Sequence, residues 1–229
     1  MITEILNIIE RYDLGSVVRW LLENNPSQAL PYHNFNHSLW VTHHADLAYR
    51  YEMRCRPPKE LIVAALFHDF GHSGGFFAND ADNIKAAIGG VHDYLMQHRI
   101  ADNTIVEHLI TGTCFPHNTA NDEHVATYYG TTGKDSAEYL QMQRALRDAD
   151  MMQNCNDTML GNFIGIKQEM FRNMKYPEYM EKTLAFLKGI KYETKYGMDI
   201  GQPRLVYAIK QLEQFQHLTL MTLFCPSDA

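Results

Sequence analysis

The sequence predicts an all-α protein. Apolar residues recur at three- and four-residue spacing along most of the chain, and no stretch of useful length alternates with period two. The run Leu61 to Phe67, Leu-Ile-Val-Ala-Ala-Leu-Phe, carries no polar side chain, so it is apolar all round and belongs in the middle of a helical core. The 229 residues suit one domain, 1–229.

The elements follow in order. Ile2, Ile5, Leu6, Ile9 and Tyr12 share one helix face, which predicts a helix over 2–13. Gly15-Ser16 breaks it, and Ser16 is placed to cap a second helix running through Leu22. Asn24 to Pro31 reads as a loop that delivers Tyr32-His33-Asn34-Phe35-Asn36-His37. A third helix carries His37, Val41, His44, Ala45 and Ala48 on one face, and Pro57-Pro58 punctuates before the apolar run. Gly71 is a helix stop, and His72 to Ala78 is a loop lying over a site. A long helix starts within Asn79 to Asp82 and reaches about His98. Further helices are expected over 102–112, 135–157, 159–173, 177–191 and 203–220, with polar 118–134 as an excursion or flexible lid. Met142, Met151, Met152 and Met159 read as adaptable core packing, and Glu178, Glu181 and Lys182 as a solvated helix face.

A net charge of −7 offers no grip on a nucleic-acid polymer. A single nucleotide stays open, because a metal ion can supply positive charge locally. The four cysteines, Cys55, Cys114, Cys155 and Cys225, form no C-x-x-C pair, which indicates free thiols in a reducing compartment. The N-terminus lacks the pattern of a signal peptide and no apolar run approaches 18 residues, so the expectation is cytoplasmic with no membrane partner.

Histidine is the unusual count, at 12. The apolar run ends on His68-Asp69, and an imidazole beside a carboxylate at a buried helix end is costly unless compensated. A hydrogen-bonded core pair is one solution; a metal ion is the other. Adjacent helical residues point about 100° apart, so an ion beside that helix end needs ligands from elsewhere. His37 and Asp150, the latter in the otherwise apolar Leu146–Met152 context, supply them. Two imidazoles and two carboxylates suit Zn, Mn, Fe, Co or Ni without selecting among them. Open coordination positions would let such an ion acidify a water and polarise a phosphoryl oxygen.

The ordered pattern His37…His68-Asp69…Asp150, with its flanks Asn36-His37-Ser38-Leu39, Ala65-Leu66-Phe67-His68-Asp69 and Asp148-Ala149-Asp150, resembles the HD-domain superfamily of metal-dependent phosphohydrolases. The match covers about residues 30–155. It implies a helical bundle in which His37, His68, Asp69 and Asp150 hold one catalytic metal, with additional C-terminal helices over 159–220. It also implies that Asp69 bridges a second ion, such as Mg or Mn, or orients the attacking water.

Two branches lend further residues. Tyr32-His33-Asn34-x-x-His37 with His68-Asp69-x-x-His72-x-Gly74 resembles cyclic-nucleotide phosphodiesterases, which implies that His33 protonates the leaving oxygen and that His72 supports the site. Arg19-Trp20 and His37-Ser38-Leu39-x-Val41 resemble 5′-deoxynucleotidases and deoxynucleoside-triphosphate hydrolases, which implies sugar sensing by Arg19 and Trp20 and an acid role for His72. Tyr32 and Phe76 can stack on a base, and Asn79 is a further substrate-contact candidate. The expected substrate is a small phosphorylated molecule, a nucleotide above all. The alternatives are an HD-type di-iron oxygenase, with His92 and His117 as extra ligands, and a sensing module that binds a nucleotide without turnover. In a hydrolase, His92 or His117 would instead serve a second metal or a phosphate.

Overall fold

Seven consecutive apolar side chains call for protein on every side, and α4 (Lys59–Phe67) comes close: Leu61, Ile62, Ala64, Ala65, Leu66 and Phe67 are buried and Val63 is half-buried. The computed structural model describes residues 1–77, 79–98, 104–117, 122, 125–127, 130–131, 135–153 and 159–224. Among the described residues the fold is all-α, with no strand. None of these helices is long and apolar enough to cross a membrane.

α1 (Ile2–Arg11) and α2 (Gly15–Asn24) precede α3 (Phe35–Met53). After α4 come α5 (Asp80–His98), α6 (Thr104–Thr111), α7 (Ser136–Met152), α8 (Met159–Met170), α9 (Tyr176–Gly189) and α10 (Gln202–Phe224). A π-helical turn at Gly197–Gly201 leads into α10. α3 packs against both α4 and α7, and α4 also packs against α6, so these helices form the centre of the bundle. One continuous apolar core runs from Ile8 to Leu212, and the C-terminal helices join it through Phe163, Tyr179, Leu184 and Leu205.

α3 differs from its expectation as a one-faced helix. Residues 40–46, Trp-Val-Thr-His-His-Ala-Asp, are buried without a break, because α4, α7 and α1 occupy three of its sides. Two of its buried polar side chains are partnered: His44 shares a hydrogen bond with Tyr196 at 3.0 Å, and Thr42 donates to Ser38 O at 2.7 Å, whereas His43 Nδ1 has no hydrogen-bond partner among the described residues.

The predicted boundaries need local corrections. α1 stops at Arg11, and Asp13 takes φ 51° to turn the chain into α2. Ser16 does not cap α2: the helix already begins at Gly15, no side chain caps it, and Ser16 Oγ pairs with Tyr94 Oη at 3.2 Å. Asn79 accepts from Asp82 N and so marks the start of α5. α8 ends at Met170 and α10 extends to Phe224. Most of 118–134 lies outside the described residues, as do 154–158 at the predicted end of α7. Cys55 and Cys114 are free thiols, and Cys155 and Cys225 lie outside the described residues.

The α4 stop is built as the sequence suggests. The helix ends at Phe67, the chain turns through His68–Phe70, and Gly71 takes φ 70°, a conformation that disfavours side chains with a Cβ. Asn25 Oδ1 accepts from Gly71 N at 3.0 Å and fixes the turn against the loop after α2. Near the end of α7, Asp148 accepts from Glu193 N, Thr194 N and Thr194 Oγ1. Burial still pushes its carboxyl up to about 6. Gly197 is required there, since a Cβ would come 2.3 Å from Asp148 Oδ2.

Candidate metal centre

Three packed helices bring the four expected ligands to one point. His37 lies in the first turn of α3, whose start is capped by Asn34 accepting from Asn36 N at 2.9 Å. His68 and Asp69 follow the last turn of α4, and Asp150 sits in the last turn of α7. His37 Nε2 is 3.0 Å from Asp69 Oδ2 and 3.2 Å from Asp150 Oδ1. His68 Nε2 is 3.3 Å from Asp69 Oδ2 and 3.7 Å from Asp150 Oδ1. The two Nε2 atoms approach to 3.2 Å.

These spacings are those of donors around one ion. Donors about 2.1 Å from a metal stand about 3.0 Å apart at right angles and about 3.4 Å apart at the tetrahedral angle. The tautomers agree. His68 Nδ1–H donates to Ala65 O at 2.9 Å, and His37 Nδ1–H donates to Gln153 Oε1. Each ring thus turns its Nε2 lone pair inward, the arrangement by which outer partners orient metal-binding imidazoles. Two neutral rings would face lone pairs at 3.2 Å and repel, so positive charge, either protons on the rings or a metal ion, belongs between them and the carboxylates.

The titration behaviour points the same way. Burial pulls both imidazoles toward neutrality, but Asp150 and Asp69 outweigh it. His37 is carried up to about 9, and His68 rises well above the usual imidazole value. Asp69 and Asp150 stay well below the usual carboxylate range despite burial, held there by the two histidines. The centre of the cluster calls for positive charge; His37, His68 and Asp69 are close enough together to hold a metal ion, and Asp150 Oδ1 stands 3.2 Å from His37 Nε2.

A second cluster adjoins the first. His33 Nδ1–H donates to Glu169 Oε1 at 2.5 Å, and Glu169 Oε2 accepts from Tyr32 N and His33 N at 3.0 and 3.1 Å. His72 stacks on His33 with centroids 3.7 Å apart, and its Nδ1 accepts from Gly74 N at 3.2 Å and lies 3.3 Å from Glu169 Oε1. Burial lowers the His33 pKa even against Glu169, whereas His72 opposes burial through Glu169 and Asp69 and is raised. Glu169 is driven far below the usual range by His33 and His72, against its burial. His33, His72 and Glu169 are also close enough together to hold an ion.

Both clusters open onto one cavity of about 370 Å³, where Asp69, Asp150, His33, His72 and Tyr32 line one side. Met151, Met159, Phe163, Ile166, Phe186 and Leu212 are among the apolar residues that line it, with Asp80, Thr113, Tyr179 and Lys182 as further polar ones. Two of the four methionines expected as core packing are therefore cavity wall; Met142 and Met152 are buried in the core.

The other expected contacts lie elsewhere. Trp20 packs against Phe67, Phe70 and Tyr94 and donates to Gln97 Oε1 at 2.6 Å, while Arg19 is exposed; neither lines the cavity. Phe76 is 82% exposed, with the Arg172 guanidinium 5.9 Å above its ring. Asn79 serves as the α5 cap. His92 is exposed and paired with Glu107 at 2.8 Å, which corrects its place as an extra ligand. His117 is partly buried, and its Nε2 has no hydrogen-bond partner among the described residues. Burial and Arg147 lower its pKa, while Asp150 opposes them.

Glu169 and Gln153 are the site residues that motif reading passed over. Glu169 had one signal, a carboxylate on the same helical spacing as Phe163 and Ile166. Gln153 had none beyond its place three residues after Asp150.

No family model matches the chain, and no curated protein or solved structure matches it either.

Proposed function

We propose that this protein is an HD-type, metal-dependent phosphohydrolase acting on a phosphate ester of a small molecule. The observation that carries the reading is the opening of a four-donor N/O cluster and a carboxylate-backed histidine pair onto the same cavity. A divalent transition metal held by His37, His68, Asp69 and Asp150 would supply Lewis acidity and an acidified water.

The chain's own groups do the rest. Asp69, on the cavity wall, accepts a hydrogen bond from the attacking water and orients it toward phosphorus. His33 and His72 hold one proton between them, because two stacked imidazoles resist carrying two positive charges. That proton goes to the oxygen leaving phosphorus, so the departing alcohol is neutral. Glu169 fixes the His33 ring and compensates its charge when protonated. Positioning and charge neutralisation are the main demands of phosphoryl transfer, and a buried, pre-formed cluster meets both.

The test is phosphate or alcohol release from a panel of phosphate esters with Mn, Co, Zn, Fe, Ni and Mg supplied separately and His68→Ala as control. Metal-dependent release lost in His68→Ala is expected. Oxygen consumption without phosphate release, with two irons per chain, would overturn the reading in favour of an oxygenase; metal-loaded protein that binds esters without turnover would reduce it to a sensor.

A further inference from the structure

The cavity's walls are informative about the organic part of the substrate. Among the described lining residues only one Lys or Arg is present, Lys182, and its ammonium is exposed and 3.4 Å from Glu178. The same lining carries three carboxylates, Asp69, Asp80 and Asp150. A divalent ion and Lys182 together cancel those three charges and leave no surplus for a triphosphate. Polyphosphates are gripped by forks of Arg, by Lys and by metal. A single phosphoryl group adds less uncompensated negative charge to this lining than a chain of three does.

Polar groups beyond the metal are already engaged. Thr113 Oγ1 donates to Ile110 O at 2.7 Å. Tyr179 Oη donates to Phe163 O at 2.8 Å and is hydrogen-bonded by Thr183. Asp80 accepts from Phe115 N at 2.7 Å and from Asn83 Nδ2 at 3.3 Å. A nucleobase buried here would bring several acceptors to a wall whose hydroxyl donors already bond to the protein, and unsatisfied buried polar atoms are costly. Thioether, phenyl and branched aliphatic groups from Met151, Met159, Phe163, Ile166, Phe186 and Leu212 make much of the remaining surface.

Resting on the phosphohydrolase reading, we infer that the substrate is a monophosphate ester with an apolar organic group, aliphatic or aromatic, and not a nucleotide. The phosphoryl group sits at the metal ligands and the apolar group fills the methionine- and phenylalanine-lined end. His33 and His72 stand on the phosphoryl side, where the proton is needed. The sequence's expectation of a nucleotide came from resemblance around the metal ligands, a region that includes only Met151 of these six wall residues.

The experiment is a homologous series of n-alkyl phosphates from ethyl to octyl, with phenyl and 1-naphthyl phosphate as the aromatic arm. AMP, dAMP, 3′,5′-cyclic AMP and dATP complete the panel, all with the Mn-loaded full chain. Burying a methylene corresponds to about a fourfold gain, so kcat/KM should climb about fourfold per methylene until the cavity is filled. The best apolar ester should exceed every nucleotide at least tenfold, and whichever arm contains it identifies the aliphatic or aromatic source. A flat chain-length profile, or a nucleotide turned over as well as the best apolar ester, overturns the inference while leaving the hydrolase intact.

If no ester is hydrolysed, the hydrolase reading fails, and calorimetric binding of n-alkyl phosphonates decides the cavity's preference. Affinity rising with chain length supports the apolar site, and a flat series overturns it. Phe186→Ser supplies an independent check. It should cut kcat/KM for octyl phosphate at least tenfold more than for ethyl phosphate and leave bound metal unchanged; equal losses on both esters would count against the apolar wall.

Discussion

His37 and Gln153 meet across the packed helices α3 and α7, ring Nδ1 against side-chain Oε1, although 116 residues separate them in sequence. The contact settles which nitrogen of His37 faces the cluster. Gln153→Leu keeps the bulk and removes the acceptor, so metal affinity should fall by about 10- to 100-fold with the fold intact. Competition with a chelator of known affinity measures this, and a change below twofold would mean that the ring is held by packing alone.

The ligands themselves should be all-or-none for function. His68→Ala and Asp69→Ala are expected to lower turnover by about a thousandfold or more, because both the ion and its activated water are lost. Circular dichroism should remain helical. Full activity in either variant would remove the metal cluster from the reaction.

Metal uptake should release protons. His37, at about 9, and His68, also raised, carry protons at pH 7 in the metal-free protein, and an ion must displace them. Affinity therefore falls as pH falls below about 9. Calorimetry in two buffers of different ionisation enthalpy reads the release, and a value of zero at pH 7 contradicts the assignment.

Glu169 and His72 act on His33 in opposite directions. Burial lowers the His33 pKa, Glu169 raises it and a charged His72 lowers it. If His33 protonates the leaving oxygen, activity is lost as pH rises through its pKa. Glu169→Gln should move that alkaline limb to lower pH, and His72→Ala should move it to higher pH. Shifts of the same sign in both variants would rule out His33 as the titrating acid.

Gly197→Ala tests the cradle around Asp148. The added Cβ would stand 2.3 Å from Asp148 Oδ2 and 2.7 Å from Tyr192 Cβ, so a backbone or carboxylate must shift. A cost of about 1–3 kcal/mol is expected for such overpacking. For a chain of this size that lowers Tm by about 2–4 °C per kcal/mol, read by thermal unfolding. An unchanged Tm would show that the segment from Tyr192 to Gly201 yields freely.

The helices were legible because their apolar residues repeat at helical spacing, and the metal ligands because rigid helix ends carry them next to recognisable neighbours. His33 was legible too, as part of the loop that leads into His37. Its partner was not. Glu169 lies 136 residues downstream on a different helix, and no local spacing can encode that meeting. Arg19-Trp20 misled for a simple geometric reason: neighbours on a helix diverge by about 100°, so a core-facing Trp20 sends Arg19 to the surface. Ser16 misled because a helix can start without a side-chain cap when its first turn is held by tertiary contacts.

Glu169 also separates what is recognisable in this chain from what operates. A polypeptide cut after residue 155 would retain His37, His68, Asp69 and Asp150 and would pass any inspection of its motifs. It would lack α8, and with it the single carboxylate that joins two backbone amides to two imidazole rings. It would lack much of the greasy wall as well, since Met159, Phe163, Ile166, Phe186 and Leu212 all come later. Under the proposed function, the ion's ligands and the two proton-holding histidines lie in the first two thirds of the protein, while the carboxylate behind those histidines and most of the apolar wall lie in the last third, where the sequence bears no signature.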